Sequence, residues 1–235
     1  VWPFSTQLQS TAGPEAAVID AAGTERTGLN FASYDYLGLS THLEVRAAAI
    51  EAINQYGTQI AGAPILQGNS PLSLRLQEAV AEMLGLAHVQ LFPTGWAAGF
   101  GIITGLIRPK DHVVLDQSAH NCCVQGATPA TPNVHRARHN SIDAFVRQLR
   151  RIRATDTVNA ILVVTEGIFS MNGDSPDLDA LQTACREYEA TLLVDVAHDL
   201  GAVGPGGTGI VGLQDLLGKV DLVIGSFSKV FAADC

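Results

Sequence analysis

Residues 159–199 read NAILVVTEGIFSMNGDSPDLDALQTACREYEATLLVDVAHD. The stretch opens on one apolar run, NAILVVTEG (159–167), and closes on another, TLLVD (191–195). Between them, near 176–189, apolar positions recur at helical spacing. Apolar runs with no polar alternation belong to strands buried on both faces, the condition of a strand inside a parallel sheet. Strand, helix and strand in about 40 residues make one crossover unit of an α/β fold.

The same alternation continues on both sides. HVQLF (88–92), HVVLD (112–116) and VDLVIGS (220–226) are further apolar runs, with helical patterns near 96–106 and 141–153. Upstream, THLEVRAAAIEAINQYG (41–57) reads as a helix with Thr41 as N-cap and Gly57 as stop. LSLRLQEAVAEMLG (72–85) reads as a second helix ending in Gly85, after a Gly/Pro-broken loop over 57–71. The first 30 residues are small and polar and read as an irregular or helical arm. The expected organisation is an N-terminal arm over 1–40 and one large domain over 41–235. That domain is α/β, with a mostly parallel central sheet flanked by helices.

Composition narrows the function. Of 235 residues 47% are apolar, enough to bury a core. No apolar run reaches the roughly 18–20 residues of a spanning helix, so no transmembrane segment is expected. With 14 basic against 23 acidic residues, the chain is a poor partner for nucleic acid. The one basic cluster, Arg147, Arg150, Arg151 and Arg153, reads as the solvated face of a helix. The opening VWPFSTQLQS lacks a signal-peptide layout, and Cys122, Cys123, Cys185 and Cys235 form no C-x-x-C pair. A cytoplasmic protein is expected.

In parallel sheets ligands collect beyond the carboxyl ends of strands. Those positions hold Thr94-Gly95-Trp96, Asp116 to His120, Glu166 to Ser170, Asp195 to His198, and Ser226 to Lys229. Asp195, His198 and Asp199 are possible metal ligands. No second ligand cluster accompanies them, and no metal is expected. Only three lysines occur, Lys110, Lys219 and Lys229. Lys110 sits in an Arg-Pro-Lys-Asp turn and Lys219 before a strand, both reading as solvated. Lys229 follows an apolar strand through Ser226-Phe-Ser228, which suits a Schiff-base lysine with hydroxyls for a phosphate. A carboxylate (Asp195) and an imine-forming lysine on neighbouring strand ends are what pyridoxal 5'-phosphate requires. His120 is placed to stack on the ring, and Gly95 and Trp96 open a helix whose N–H groups suit the phosphate. GPGGTG (204–209) reads as a flexible turn.

Six motifs in order carry a resemblance: NFASYDYLGLS (30–40), FPTGWAAGFG (92–101), LDQSAH (115–120), TEGIFSMNGD (165–174), LLVDVAHDLGAVGPGGTG (192–209) and IGSFSKVFA (224–232). In these the chain resembles the α-oxoamine synthase family of pyridoxal-phosphate enzymes, of fold type I. Serine palmitoyltransferase, 8-amino-7-oxononanoate synthase, 2-amino-3-ketobutyrate CoA ligase and 5-aminolevulinate synthase belong to it. SYDYLG and RARHNS (136–141) lean towards the serine palmitoyltransferase members. The resemblance implies that Lys229 holds the cofactor and moves the α-proton, and that Asp195 pairs with the pyridine nitrogen. His198 and Ser170 would bind the phenolic oxygen, and His120 would stack on the ring. Ser226, Ser228, Gly95 and Trp96 would bind the phosphate. The implied reaction condenses an amino acid with an acyl thioester, on CoA or a carrier protein, with loss of CO2, to give an α-amino ketone. The implied assembly is a homodimer with sites at the interface. The family also has a smaller domain beyond the lysine, so this sequence is expected to be the large cofactor-binding part alone.

The chain departs from the family pattern at Gly62-Ala63-Pro64, at Ser73, at Gln77 and at Gly99. Another fold type I activity (aminotransferase, lyase or racemase) and a non-catalytic partner subunit stay open as alternatives.

Overall fold

The computed structural model describes residues 4–233; Cys235 lies outside the described residues. Two compact units form. One comprises the chain up to Leu74 together with Phe227–Ala233, and the other Arg75–Ser226.

The second unit is the α/β body. Five parallel strands, β4 (His112–Asp116), β5 (Val134–Ala137), β6 (Ile161–Glu166), β7 (Thr191–Asp195) and β8 (Leu222–Ile224), lie in the order β5-β4-β6-β7-β8. Residues at even steps along a strand share a face. Val113, Leu115, Leu162, Val164 and Leu193 point to one side, under Ile103 of α3 (Gly95–Leu106) and Ala127 of α4 (Asn121–Ala130). Their neighbours Val114, Ile161, Val163, Leu192 and Val194 are equally buried. They lie on the side covered by α5 (Ile142–Arg153) and α6 (Leu178–Glu187), whose Phe145, Leu149, Leu178 and Leu181 are buried. Burial on both faces is why these strands read as unbroken apolar runs.

Five features of this unit differ from expectation. HVQLF (88–92) pairs with no strand among the described residues and is not a strand. Helix α4 was not anticipated, because NCCVQGATPA carries Gly, Thr and Pro and has low intrinsic helix propensity. Close packing on α3 holds it, since a Cβ at Gly126 would stand 3.1 Å from the Phe100 backbone. Strand β5 was also missed, being a short VHRA edge strand with a charged residue. Finally, Arg153 is no solvated charge. Its guanidinium donates to the carbonyls of Tyr188 (2.8 Å), Asn159 (2.8 Å), Glu189 (2.9 Å) and Asp156 (3.2 Å), tying the ends of α5 and α6 together. Arg147, Arg150 and Arg151 are exposed as expected. GPGGTG contains a turn of 3-10 helix (Pro205–Gly207) and leads into α7 (Gly209–Leu213), also unanticipated.

In the first unit, residues 4–30 are not helical, and the segment carries strands between its turns. β1 (Gln7–Leu8), β2 (Glu15–Ile19) and β3 (Glu25–Leu29) form an antiparallel meander. The strands are short and mostly exposed, so the apolar/polar alternation that marks a half-buried strand is weak. Helix α1 (Leu43–Tyr56) starts two residues after Thr41, with His42 at the N-cap position, and stops at Gly57, whose φ is 78°. Helix α2 (Pro71–Leu84) begins in this unit, where Ser70 and Ser73 exchange hydrogen bonds of 2.9 and 3.1 Å as a reciprocal cap. Ser73, one of the departures noted above, thus has a structural use. Phe227–Ala233 is a turn in which the Ala233 N–H donates to the Phe227 carbonyl at 2.9 Å and the rings of Phe227 and Phe231 stand 5.3 Å apart. Among the described residues no helix is long and apolar enough to cross a membrane.

Candidate functional site

The strand order fixes where a ligand site belongs. From β4 the chain goes outward to β5 and then returns to the opposite side of β4 to form β6. Such a reversal leaves a crevice outside the carboxyl ends of the two central strands. His120 follows β4, Glu166 ends β6, and Asp195 ends β7 in register with Glu166.

Asp195 is buried, and its Oδ1 accepts from the Ala197 N–H at 3.0 Å. His120, on the loop after β4, caps α4: the Cys122 N–H donates to its Nδ1 at 3.3 Å. A ring nitrogen that accepts carries no proton, so this bond places the proton of the neutral ring on Nε2. The edge of Trp96 stands against the His120 ring, centroids 6.0 Å apart at 79°. The Cys122 sulfur lies 3.0 Å from Nδ1, and donor atoms of His120, Cys122 and Asp195 fall within 4.8 Å of one another. Three chain segments thus converge on one point.

Carboxyls crowd this end of the sheet. Burial, and then the charge of Asp195, push Glu166 up to about 7, although the backbones of His120 and Ser170 lie against its carboxylate and pull the other way. Burial chiefly, with Asp195 adding, pushes Asp199 up to about 6. Asp199 faces away from ligand chemistry: its Oδ2 accepts from the Ile210 N–H at 2.8 Å and anchors the turn that follows GPGGTG. The Cys122 thiol is held low, by its sulfur contact with Cys123 and by His120, against its burial. Cys123 is pushed up by Cys122 and by burial.

A second convergence lies at the start of α3. Thr94 caps the helix by accepting from the Ala97 N–H at 3.0 Å. Gly95 opens it, and a Cβ there would stand 2.7 Å from the Ser226 Cβ and 2.8 Å from its Oγ. Only glycine lets the helix terminus close on the serine after β8. The helix N-terminus and a hydroxyl then face one place, a suitable seat for an anion.

Within this unit the structure brings together His120 and Asp195, Trp96 and His120, and Gly95 and Ser226. Ser170 is exposed on the loop after β6, and His198 is half-buried in the turn after β7. Ser228 and Lys229 lie in the turn of the other unit, with Lys229 half-buried. Sequence reasoning missed Cys122 and Glu166 as parts of the site. It listed Glu166 only as a strand-end residue, and it read the cysteines only for a disulfide framework or a zinc module.

It also left His139 unassigned. His139 Nδ1 lies 2.9 Å from the buried carboxylate of Asp116, at the end of β4. Its Nε2 lies 3.1 Å from Asp174 and 2.6 Å from the Asn172 amide. Burial works against the imidazolium, but the bonds and charges of Asp116 and Asp174 win and raise its pKa. A raised native value stabilises the fold fully below the unfolded histidine range near 6.5, and this stabilisation disappears as pH rises through the native value. Urea titrations across this range should show stability falling with rising pH. In His139→Gln that slope should flatten; an unchanged slope would mean that another group sets it.

Comparison with known proteins agrees with this geometry. The family model "Aminotransferase class I and II" matches residues 26–234. The serine palmitoyltransferase of Caulobacter vibrioides is 32% identical over 231 residues, which are 98% of this chain and 56% of that protein. The 8-amino-7-oxononanoate synthase of Pectobacterium atrosepticum is 36% identical over 207 residues, 88% of this chain and 52% of that protein. Among solved structures, the Sphingomonas wittichii serine palmitoyltransferase superposes with a TM-score of 0.90 at 29% identity, covering 99% of this chain and 56% of that one. A serine palmitoyltransferase structure with a pyridoxal phosphate internal aldimine gives 0.89 at 30% identity, with 99% and 56% covered. The chain spans about half the length of the curated relatives it matches.

Proposed function

The chain belongs to the aminotransferase class I and II family, on its α-oxoamine synthase branch, and we propose that it is the cofactor-binding part of a pyridoxal-phosphate acyltransferase. The proposed reaction condenses an amino acid with an acyl thioester, on CoA or a carrier protein, with decarboxylation to an α-amino ketone. One observation carries the reading: an imidazole and a buried carboxylate from separate strand ends meet at the switch point of a parallel sheet.

The residues fit the cofactor. Gly95 leaves a cradle beside Ser226 that any Cβ would fill, matching a phosphate held by helix N–H groups and a hydroxyl. Asp195 is a buried acceptor suited to a ring N–H, and the His120 ring offers a flat face beside it. Pyridoxal 5'-phosphate, when bound, supplies an electron sink for the carbanion left when an α-proton departs.

The chain's own groups then have these roles. Lys229 would hold the cofactor covalently and would move the α-proton at Nζ. Asp195 would pair with the pyridine nitrogen. His198 and Ser170 would donate to the phenolic oxygen. Gly95, Trp96, Ser226 and Ser228 would hold the phosphate. His120 packs on the ring with Nε2–H as its outward donor, and Trp96 limits its rotation. Glu166 steadies the His120 and Ser170 loops from below.

A homodimer is part of the proposal. Phe31, Leu43, Ile50, Ile53, Ile65 and Leu66 of the N-terminal unit are each more than half exposed, an apolar surface that calls for cover. A cytoplasmic location is proposed with it.

The discriminating assay supplies amino acids and acyl thioesters to the protein together. Free thiol and CO2 released in equal amounts are expected. Keto acid formed without thiol would instead indicate an aminotransferase. A protein that takes up no pyridoxal phosphate would indicate a non-catalytic partner subunit.

A further inference from the structure

We propose that His139 is a positioning residue for Ser170: its ring clamps the turn of residues 169–174, which carries that serine, to the carboxyl end of β4. The proposal rests on the role given above to Ser170, a donor to the phenolic oxygen of the cofactor. Ser170 is exposed, four residues beyond the end of β6 at Glu166, so its place depends on what holds the turn. Its backbone lies against Glu166, and the rest of the turn is held from His139.

The turn first closes on itself. The Phe169 N–H donates to the Asp174 carbonyl at 2.9 Å, and the Gly173 N–H donates to the Phe169 carbonyl at 2.8 Å. His139 then meets residues on both sides of Ser170. Its ring stands edge-on to Phe169, centroids 4.5 Å apart at 85°. Nε2 lies 3.1 Å from the Asp174 carboxylate and 2.6 Å from the Asn172 amide. On the other side of the ring, Nδ1 lies 2.9 Å from Asp116 Oδ1. Asp116 is a fixed anchor. It is fully buried, and its two oxygens also accept from the Ser118 and Asn140 N–H groups, each at 2.8 Å. Asn140 doubles the bridge. Its backbone is left-handed, with φ of 48°, a conformation open to asparagine. Its side-chain amide donates to Asp174 at 2.9 Å and to the Ser175 carbonyl at 3.3 Å.

The clamp depends on a proton. The charged groups facing His139 are Asp116 from β4 and Asp174 from the turn, and Arg136 of β5 donates to the Asp116 carbonyl at 3.3 Å. A doubly protonated ring donates from Nδ1 to Asp116 and from Nε2 to Asp174. When the ring loses one proton, the buried Asp116 keeps Nδ1–H, because it cannot exchange that donor for water. Nε2 then turns a lone pair on the Asp174 carboxylate, and attraction becomes repulsion. Of the ring's polar contacts with the turn, only that to the Asn172 amide survives. Against burial, the bonds and charges of Asp116 and Asp174 raise the pKa of His139. The clamp is therefore closed below that native value and opens as pH rises through it.

The test first reads the turn in the whole protein without cofactor. Hydrogen exchange at the Phe169 and Gly173 amides, corrected for its intrinsic pH dependence, should show protection that falls as His139 titrates. His139→Gln should lower the low-pH protection at least about tenfold and flatten its pH dependence. Asp174→Asn presents an amide that can face either form of the ring, so it should flatten the pH dependence and keep the turn protected. This second variant, at a partly exposed position, decides the matter where His139→Gln does not fold. Protection that does not change with pH in the wild-type protein, or a dependence that survives Asp174→Asn, overturns the clamp. Pyridoxal phosphate is then added. Ser170→Ala should weaken its uptake about tenfold and change its bound visible absorbance, His139→Gln should do the same, and the two changes together should do no more than Ser170→Ala alone. Effects that add overturn the positioning role, since His139 would then act elsewhere than through Ser170. A turn that titrates as expected in a protein indifferent to Ser170→Ala supports the clamp and defeats the role given to Ser170. A titrating turn in a protein that takes up no cofactor supports the clamp and defeats the cofactor reading.

Discussion

Lys229→Ala is expected to give a protein that still folds, yet shows no visible imine absorbance with pyridoxal phosphate and no measurable condensation. The sheet itself argues for this lysine. Lys110 lies two residues before β4 and Lys219 three before β8, both at the amino ends of strands. Lys219 spends its Nζ on the Asp215 carbonyl at 2.7 Å. Lys229 alone follows a strand, five residues beyond Ile224 in the sequence. General acid–base help from one side chain is worth roughly 10²–10⁴-fold, and this lysine would also hold the cofactor covalently. The loss should therefore reach at least about 10⁴-fold. Borohydride reduction of the wild-type protein followed by peptide mapping should find the label on Lys229. Label on Lys110 or Lys219, or a visible imine band that survives in Lys229→Ala, would reject the assignment.

The sequence made the sheet legible because its central strands are buried on both faces. β4, β6 and β7 read as HVVLD, ILVVTE and TLLVD, with no polar residue before the last turn of each run except at edges. Strand-end positions were singled out from that reading, and donor atoms of two of them, Asp195 and His120, lie close together. What escaped was held by tertiary contacts rather than by local pattern. Helix α4 exists because His120 caps it and Gly126 lets it press on α3. The Asp116–His139–Asp174 bridge joins residues from three segments, and no spacing announces it. The apolar run at 88–92 has strand composition but no paired neighbour among the described residues, and pairing is what makes a strand.

Asp195→Asn should move stability and activity in opposite directions. Asparagine has the same shape, and its amide oxygen can still accept from the Ala197 N–H now bound at 3.0 Å. What disappears is a charge in a place where Glu166, Asp195 and Asp199 are all buried together. After burial, the Asp195 charge is what disfavours ionised Glu166, and it adds to the same effect on Asp199. Like charges removed from water repel strongly, so deleting one should stabilise the cofactor-free fold. Relief of about 1 kcal/mol would raise the melting midpoint of a chain this size by roughly 2–4 °C. The neutral amide, however, cannot keep a proton on a pyridine nitrogen, and the electron sink weakens. Removing one group aimed at developing charge costs roughly 10²–10³-fold in turnover, and the condensation should fall by at least that much. Thermal unfolding without cofactor and thiol release with it read the two effects separately. A lower midpoint would mean that the Asp195 charge is compensated in the folded protein, and turnover within about tenfold of wild type would remove Asp195 from the reaction. Opposite signs are the expected behaviour of a carboxylate kept in an unfavourable setting for its chemistry.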